Sequence, residues 1–284
     1  MSAPFALLHP RHLVSLQGPD RVRFLNGQMS NDCRKVQPGT QIPACILNAK
    51  GKLQFTIHVS VTPESLLCDA PIHSDSPTLF ERLDRYLIAD QVELADLSAL
   101  QILIHFPDQS QPPSSFPSEA MIFPSNRLGT AGTDVWIPQS ALKDWTDRPE
   151  RLSESQIAQR RILHGIPAWG HELDEDTLPA EAGLDRTHVD FHKGCYIGQE
   201  VVSRIKSVGR VNRSLVRITS HHPLSPGASL HSAGRECGQV TSVAPDSNGI
   251  WHALAYIHRS ADHAQLTCES NPVTVEKHFH ASSI

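Results

Sequence analysis

The octet Lys193-Gly194-Cys195-Tyr196-Ile197-Gly198-Gln199-Glu200 is the stretch of sequence that decides how this chain is interpreted. It places one thiol between two glycines and two positions after a lysine. Glycine lets the main chain approach a ligand closely or adopt a positive φ angle, and a nearby ammonium group favours the thiolate over the thiol. A cysteine that only fills space in a core needs neither feature, so the octet predicts a functional thiol at Cys195.

The residues alone leave the role of this thiol open between a nucleophile, a redox group and a transient ligand of a metal or cluster. The polar groups on either side favour a functional role, and these are Lys193, Gln199, Glu200 and Arg204. Packing in a hydrophobic core is the commonest role of a free cysteine. We assign that role to the remaining cysteines, Cys33, Cys45, Cys68, Cys237 and Cys268.

A zinc site is a further hypothesis, based on the spacings of four and three residues between His188, His192 and Cys195. Such spacings bring side chains together on a helix or in a tight turn, and Asp190 is available as a fourth ligand. However, Gly194 interrupts a helix at this point, and chance proximity is common in a chain with 17 histidines. The sequence therefore predicts no metal site.

Length and composition describe a chain of 284 residues, 39% of them hydrophobic, which is long enough for two or three cores. Its net charge of −5 argues against direct nucleic-acid binding. No segment approaches the ~20 apolar residues that span a bilayer, and the six cysteines include no Cys-x-x-Cys pair. Dispersed cysteines are typical of a reducing compartment. We therefore expect a cytoplasmic protein that contacts no membrane.

Periodicity predicts a mixed N-terminal region of helices and strands. The apolar spacing of Val22, Leu25 and Met29 predicts a short helix that begins near Asp20. Two β-leaning runs follow, and the glycine-containing turn at residues 49–52 predicts a hairpin between them.

Two later helices have recognisable starts. Ser76 and Pro77 predict the first turn of one helix, with leucines every four residues from Leu79. Ser153 and Gln156 form a capping-box pattern for the other. From residue 214 onward, short alternating runs are separated by turns, which predicts a small β-barrel or sandwich with a domain boundary near residue 208.

A cluster of cations follows the octet in an otherwise acidic chain. One interpretation is a solvated strand face, which is the common reason for a run of charges. The other is a binding surface for an anionic ligand, because arginine pairs directionally with carboxylates and phosphates. Both remain open for Arg204, Lys206, Arg210, Arg213 and Arg217.

The octet resembles the signature of the YgfZ-type iron-sulfur assembly proteins and their mitochondrial counterparts, which are similar in fold to the aminomethyltransferase (T-protein) of glycine cleavage. Four other stretches agree with this family in the expected order, so the resemblance runs through most of the chain. They are residues 18–32, residues 48–52, the Arg-x-x-x-Gly-x-Pro-x-x-Gly stretch at 161–170, and residues 178–181.

The resemblance implies an α+β fold: a GcvT-like folate-binding module of two subdomains arranged as a ring, with a C-terminal all-β barrel. The module would span residues 1–207, with subdomain one at about 1–45 plus 150–207 and subdomain two at about 46–149. The barrel would span residues 208–284. It also implies a tetrahydrofolate-binding accessory protein for the assembly or repair of iron-sulfur proteins, particularly those with 4Fe-4S clusters, and therefore iron-sulfur assembly or client proteins as partners.

The site residues follow from the same resemblance. Cys195 and Lys193 would carry the chemistry. Side-chain amides would pair with the pterin edge, and basic residues near Arg204 with the anionic glutamate tail. The cofactor-binding set is Gln28, Asn31, Asn48, Lys193, Tyr196, Gln199, Glu200 and Arg204.

Two departures from the transferase pattern bear on activity. Gln54 is aligned with the aspartate that works on the aminomethyl group, and Leu163 with the glutamate that holds the pterin. An amide cannot exchange that proton. An accessory role is therefore the main hypothesis, and a folate-dependent aminomethyltransferase or demethylase is the alternative. A thiol oxidoreductase is a third hypothesis, with Cys33 or Cys237 as a distant resolving cysteine.

Overall fold

A computed structural model describes residues 4–73, 77–108, 116, 119–143, 145, 149–209, 211–246 and 248–279. The first nine strands are β1 (Ala6–Leu8), β2 (Arg11–Gln17), β3 (Gln41–Leu47), β4 (Leu53–Val61), β5 (Leu66–Pro71), β6 (Glu93–Asp96), β7 (Gln101–Phe106), β8 (Met121–Ser125) and β9 (Gly132–Pro138). The others are β10 (Arg213–Ser220), β11 (Ser229–Ser232), β12 (Arg235–Pro245), β13 (Trp251–His258), β14 (Leu266–Cys268), β15 (Asn271–Pro272) and β16 (Thr274–His278). The helices are α1 (Arg21–Gln28), α2 (Leu79–Asp84), α3 (Glu154–His164) and α4 (Gln199–Val208).

The chain divides into two compact units. Unit 1 contains Met1–Ala49, Gln54–Ser153 and His188–Ile197, and unit 2 contains Lys50–Leu53, Glu154–Thr187 and Gly198–Ile284. The chain passes from unit 1 to unit 2 within the octet, between Ile197 and Gly198. The three-part division expected from the sequence stays a prediction.

Unit 1 is built on two antiparallel sheets. One has five strands in the order β3-β4-β5-β2-β6, and the other has four in the order β1-β7-β9-β8. Along β4, Phe55, Ile57 and Val59 point into a core that also contains Leu25 of α1 and Leu83 of α2. Alternate residues of a strand face opposite sides of the sheet, so the two helices cover one face of the five-stranded sheet.

The other face of that sheet packs on the four-stranded sheet. Leu13 of β2 and Leu67 of β5 form a cluster with Leu103, Phe123 and Trp136 of the second sheet. Each fully buried side chain of this size contributes about 1.5 to 3 kcal/mol by leaving water.

The predicted helix starts are largely confirmed. Helix α1 begins directly after Asp20, as the apolar spacing indicated. Helix α2 begins after Thr78, whose hydroxyl accepts from the Glu81 N–H while the Glu81 carboxylate accepts from the Thr78 N–H. This capping box sets the start of α2. Ser76, the predicted cap, lies outside the described residues.

Unit 2 contains a seven-stranded antiparallel sheet in the order β15-β14-β11-β12-β13-β10-β16. Its inner face is the apolar cluster of Val216, Leu230, Val240 and Ala255 with their neighbours. The predicted all-β fold of the C-terminal part is confirmed as a curled half-barrel, and the domain boundary near residue 208 stays a prediction. Together with the helices and sheets of unit 1, the half-barrel confirms the mixed α and β fold class.

Helix α4 was not predicted. It begins at Gln199 after Gly198, which has a φ of 85°, and it ends at Gly209, which has a φ of 68°. Glycine takes these left-handed angles without strain, so the two glycines bound the helix. The run of charges after the octet had suggested a strand face as one of two interpretations, whereas the two glycines are the signal that marks the helix.

Candidate functional site

The segment from His188 to Ile197, called here the octet arm, is anchored to the end of α1 by Lys193. The Lys193 side chain is only 6% exposed. Its Nζ donates to the backbone carbonyl oxygens of Asn26, Met29 and Asn31 at 2.6, 2.6 and 2.8 Å. An ammonium group has three N–H donors, so each of them has an acceptor.

This arrangement caps the C-terminal end of α1. The last carbonyl groups of a helix have no partner within the helix and carry the negative end of its dipole. A buried ammonium is stabilised there, and the Lys193 Nζ also lies 5.1 Å from the centre of the Tyr196 ring. Burial lowers the pKa of Lys193 to about 8, so the amine is mostly protonated at neutral pH.

Further contacts hold the beginning of the arm. The Ser30 hydroxyl donates to the His188 carbonyl oxygen at 2.6 Å, and the Asp190 N–H donates to the Ser30 carbonyl oxygen at 3.0 Å. Lys35 forms an ion pair with Asp190. The arm therefore lies along residues 26–35 with its backbone fixed before it reaches Cys195.

Cys195 is exposed, unlike the other cysteines. Cys33, Cys45, Cys68 and Cys268 are buried and Cys237 is partly buried, so the predicted packing role fits these positions. Burial raises the pKa of Cys33 to about 11. A thiol so reluctant to ionise is a poor resolving group for Cys195.

The side-chain amides of unit 1 that were predicted to bind the pterin differ in their burial and in their hydrogen-bond partners. Asn31 is buried, and its amide already bonds within the protein, to the Pro43 carbonyl oxygen and the Asp32 N–H. Gln28 is half-buried, and its Oε1 accepts from Nη1 of Arg82 at 3.1 Å. Asn48 is half-buried at the end of β3.

The other predicted ligand residues are divided between the units. Tyr196 is buried in unit 1, beneath the Lys193 ammonium. Gln199, Glu200 and Arg204 lie on α4 in unit 2, where Glu200 and Arg204 are exposed. In the same unit, Gly51 packs so closely on α4 that an added Cβ would lie 2.8 Å from the Val201 Cβ.

The chain was compared with protein-family models, with curated proteins and with solved structures. No family model matches the chain. It is 26% identical over 239 residues to a protein of Mycosarcoma maydis named iron-sulfur cluster assembly factor IBA57 homolog, mitochondrial, which covers 78% of this chain and 58% of that protein. It is 25% identical over 266 residues to the human iron-sulfur cluster assembly factor IBA57, mitochondrial, covering 82% and 72%.

A solved structure has the same fold. The aminomethyltransferase T of the glycine cleavage system from Bartonella henselae matches 99% of this chain and 85% of its own, with a TM-score of 0.82 at 17% identity. The chain is therefore similar in sequence to the iron-sulfur cluster assembly factors named IBA57 and shares the fold of the aminomethyltransferase, which agrees with the expected resemblance to the YgfZ/GcvT-like proteins. It spans little more than half the length of several of its fungal relatives, between 53% and 58%.

The expected cytoplasmic location was wrong. The fungal and human relatives are named as mitochondrial. A relative from Arabidopsis thaliana, 24% identical over 283 residues and covering 87% of this chain and 63% of that protein, is named as chloroplastic. These relatives point to an organellar location. The dispersed cysteines could not distinguish a cytoplasmic from an organellar location, because the pattern of cysteines reports only on redox conditions. No described helix has the length and apolar character needed to cross a bilayer.

The cations after the octet do not form one strand face. Arg204 and Lys206 lie on α4, and Arg210 is outside the described residues. Arg213 and Arg217 lie on β10, where Arg213 pairs with Glu181 and Arg217 with Glu276. The two β10 arginines are therefore occupied within the protein.

The zinc hypothesis has no geometric support in the described part of the chain, where no three His, Cys, Asp or Glu side chains converge on a common point. Burial lowers the pKa of His188 to about 4. His192 and Cys195 are exposed.

Sequence reasoning missed two buried polar clusters in unit 1. The first lies between the two sheets, where Arg127 donates to Asp69 at 2.6 and 3.0 Å and to Asp134 at 2.5 Å. Its Nη1 also lies 3.0 Å from Nδ1 of His58. The second is at Arg82, which donates to Gln54 and Gln28. The only available signal was the polar alternation of positions 54, 56 and 58 along β4.

Proposed function

We propose that this protein is an accessory factor in the assembly or repair of iron-sulfur proteins, and that it binds a tetrahydrofolate and uses the thiol of Cys195. The observation that carries the proposal is an exposed cysteine at the end of a fixed arm. Lys193, with three carbonyl acceptors, holds the arm immediately before the thiol. The names of the IBA57 relatives support the process in which this thiol would act.

The chemistry requires a partner. Iron-sulfur clusters are generally held by several thiolates, and among the described side chains Cys195 belongs to no group of three or more His, Cys, Asp or Glu residues that could hold a metal. A cluster or an iron handled here is therefore cargo, with the remaining ligands supplied by an assembly or client protein. An exposed thiol on a rigid arm suits such a transient shared ligand.

Of the side-chain amides of unit 1 that the sequence predicted to bind the pterin, Gln28 is the one whose geometry best suits tetrahydrofolate. The Oε1 of Gln28 is held by Arg82, so its amide N–H groups face away from the arginine and are available to carbonyl-type acceptors of a pterin. Asn31 supplies a backbone carbonyl to Lys193 and uses its own amide within the protein, so its role is to shape the site. When bound, tetrahydrofolate supplies a carrier for one-carbon groups.

The thiol is tested by the variant Cys195→Ser, assayed in cells for the activity of 4Fe-4S enzymes in a strain that lacks the native protein. Cys237→Ser is the matched control, because Cys237 is a partly buried cysteine of unit 2. We expect the control to restore activity and Cys195→Ser to fail at equal protein abundance. Full restoration by Cys195→Ser would remove the thiol from the proposal.

Folate binding is tested by titrating the purified protein with tetrahydrofolate under reducing conditions while following tryptophan fluorescence. We expect saturation for the wild type and at least tenfold weaker binding for Gln28→Leu. Gln37→Leu, an exposed glutamine of the same unit, is the control. Equal affinities for wild type and Gln28→Leu would contradict the proposed contact.

A folate-dependent aminomethyltransferase or demethylase is the second candidate, favoured by the likeness of the fold to the aminomethyltransferase T. The position of Gln54 argues against it. Its Oε1 accepts from Nε of Arg82 at 2.8 Å, and an amide cannot act as a general base. Turnover of a one-carbon donor by the purified protein at catalytic rates would favour this second function.

A further inference from the structure

Arg82 is a buried cation whose charge is not balanced by any carboxylate among the described residues. It is 2% exposed. Among the described residues, the only hydrogen bonds of its side chain are from Nε to Gln54 Oε1 at 2.8 Å and from Nη1 to Gln28 Oε1 at 3.1 Å. Nη2 is buried without a partner, and the guanidinium stacks 4.0 Å from the centre of the Tyr86 ring. Buried charges in proteins are normally paired, so this site lacks a counter-ion.

The arginine also fixes the orientation of both glutamines. A guanidinium group only donates hydrogen bonds, so the oxygen of each amide must face Arg82 and the nitrogen must face away from it. Neither amide nitrogen has a hydrogen-bond partner among the described residues. Both glutamines are half-buried, and neither nitrogen is among the buried polar atoms without a partner, so both nitrogens reach the solvent.

We infer that Gln28, Gln54 and Arg82 form a binding subsite for the carboxylate group of a small molecule. The two amide groups donate N–H bonds to the carboxylate oxygens, and the guanidinium behind them supplies the positive charge that the anion balances. Two planar donor groups match the two oxygens of a carboxylate. Arg82 is a positioning residue, because it orients the amides and does not itself reach the solvent.

The subsite adjoins the octet arm. Gln28 is the last residue of α1, and the next residue, Met29, supplies one of the carbonyl oxygens that hold Lys193. A carboxylate-bearing molecule bound here would lie at the same helix end as the anchor of Cys195. The inference does not depend on the proposed role of the thiol. Because Gln28 is also the proposed pterin contact, a carboxylate held here would compete with tetrahydrofolate for this amide, and Gln54→Glu is the variant that tests the carboxylate subsite separately.

The variant that tests the subsite is Gln54→Glu. It gives Arg82 an internal carboxylate and replaces one donor by an acceptor, so it should block anion binding while balancing the buried charge. Gln37→Glu is the control, because it adds the same charge at an exposed position of unit 1. Gln28→Leu removes the other donor and leaves the charge of Arg82 in place.

The measurement is the thermal unfolding midpoint of the full chain in sodium glutarate, compared with sodium chloride of equal ionic strength and with sodium phosphate. We expect a saturable rise with glutarate for wild type and Gln37→Glu, and an apparent Kd at least tenfold higher for Gln54→Glu and severalfold higher for Gln28→Leu. Without ligand, we expect Gln54→Glu to unfold at a higher temperature than wild type.

Three results would overturn the inference. The first is an equal response of wild type and Gln54→Glu to glutarate, or no saturable response of the wild type. The second is tighter binding of phosphate than of glutarate, which would contradict a carboxylate site. The third is a lower unfolding midpoint for ligand-free Gln54→Glu, because it would mean that Arg82 has no unbalanced charge.

Discussion

Arg127 and Arg82 are both buried arginines of unit 1, yet their surroundings differ in charge. Arg127 lies between the two sheets and contacts the carboxylates of Asp69 and Asp134. Arg82 lies against two neutral amides and keeps one nitrogen without a partner. The first cluster is complete within the protein and joins two sheets, whereas the second is complete only with a ligand. Burial alone therefore does not distinguish a structural cation from a binding one, but the charge of its partners does.

The neighbours of Arg127 support its structural role. Asp134 also accepts from Gln41 at 2.8 Å and lies 2.8 Å from Nδ1 of His105, and its pKa is held far below the usual range by Arg127 although burial opposes this. Arg11 also donates to Asp69, from Nε at 2.8 Å. Each carboxylate of the cluster thus has several donors, which is the condition under which a buried ion pair is stable.

The largest effect is expected for Arg127→Met. Removing the arginine leaves Asp69 and Asp134 buried without their main partner, and such a loss costs about 3 to 5 kcal/mol of unfolding free energy. Urea denaturation measures it. Arg23→Met is the control, because Arg23 is 69% exposed and pairs with acidic groups at the surface, where ion pairs contribute little. Similar losses in the two variants would mean that the cluster between the sheets is not a stabilising element.

A smaller loss is expected for Lys193→Met, which leaves three carbonyl oxygens at the end of α1 without their donor. We expect a cost of about 2 kcal/mol at neutral pH, and faster alkylation of Cys195 as the arm loosens. The pKa of Lys193 is about 8 in the folded protein and higher when it is unfolded. The unfolded state therefore binds more protons above pH 8, and wild-type stability should rise from pH 8 to 10 relative to the variant.

Denaturation curves of wild type and Lys193→Met at pH 7, 8.5 and 10 would check the sign. A difference between the two proteins that shrinks as pH rises would contradict the buried position of the amine. Lys35→Met is a useful control, since Lys35 is 60% exposed and forms an ion pair with Asp190 of the arm. It should show no such pH dependence.

The third prediction concerns the stability of the protein at acidic pH, which depends on the buried His188. His188 lies with its ring centre 6.4 Å from that of His58, which in turn accepts from Arg127. Burial lowers the pKa of His188 to about 4, below the value near 6.5 of an unfolded chain. Between these values the unfolded state binds more protons, so stability falls as the pH drops from 6.5 to 4.

Between pH 6.5 and pH 4 we expect the unfolding free energy of His188→Gln to fall by about 1 to 2 kcal/mol less than that of the wild type, because the variant lacks the buried imidazole that causes part of the pH dependence. Unfolding midpoints at pH 6.5, 5.5 and 4.5 measure it, with the exposed His192 replaced by Gln as the control. Parallel curves for wild type and His188→Gln would show that another group carries the acid sensitivity.

The sequence was sufficient for the parts of the molecule that depend on local patterns. The spacing of Val22, Leu25 and Met29 located α1, and the turn at residues 49–52 located the first hairpin, because both elements are set by short-range periodicity. The octet located the exposed thiol. Each of these features is encoded within fewer than about ten consecutive residues, which is the range over which sequence patterns are informative.

The remaining parts depend on residues that are distant in the chain. The acceptors of Lys193 are backbone carbonyls more than 160 positions earlier, and backbone atoms leave no mark in the sequence. Gln54 was interpreted only as the loss of a carboxylate, because its partner Arg82 lies on a different element. Helix α4 was missed because its charges suggested a surface strand, while Gly198 and Gly209 bound it.

The smallest effect, and the one that bears most directly on the comparison of the two arginines, is expected for Arg82→Met. A buried charge without a counter-ion carries its desolvation penalty in the free protein, so an apolar side chain of similar length should change the unfolding free energy by less than about 1 kcal/mol. Urea denaturation of Arg82→Met beside Arg127→Met makes the contrast, because both substitutions remove the same buried group. A loss at Arg82 as large as that at Arg127 would mean that the two glutamines alone satisfy the charge. In that case the cluster would be structural. If Arg82→Met leaves the unfolding free energy nearly unchanged but weakens the binding of glutarate, Arg82 contributes to recognition and not to stability. That combination is expected of a binding cation and not of a structural one.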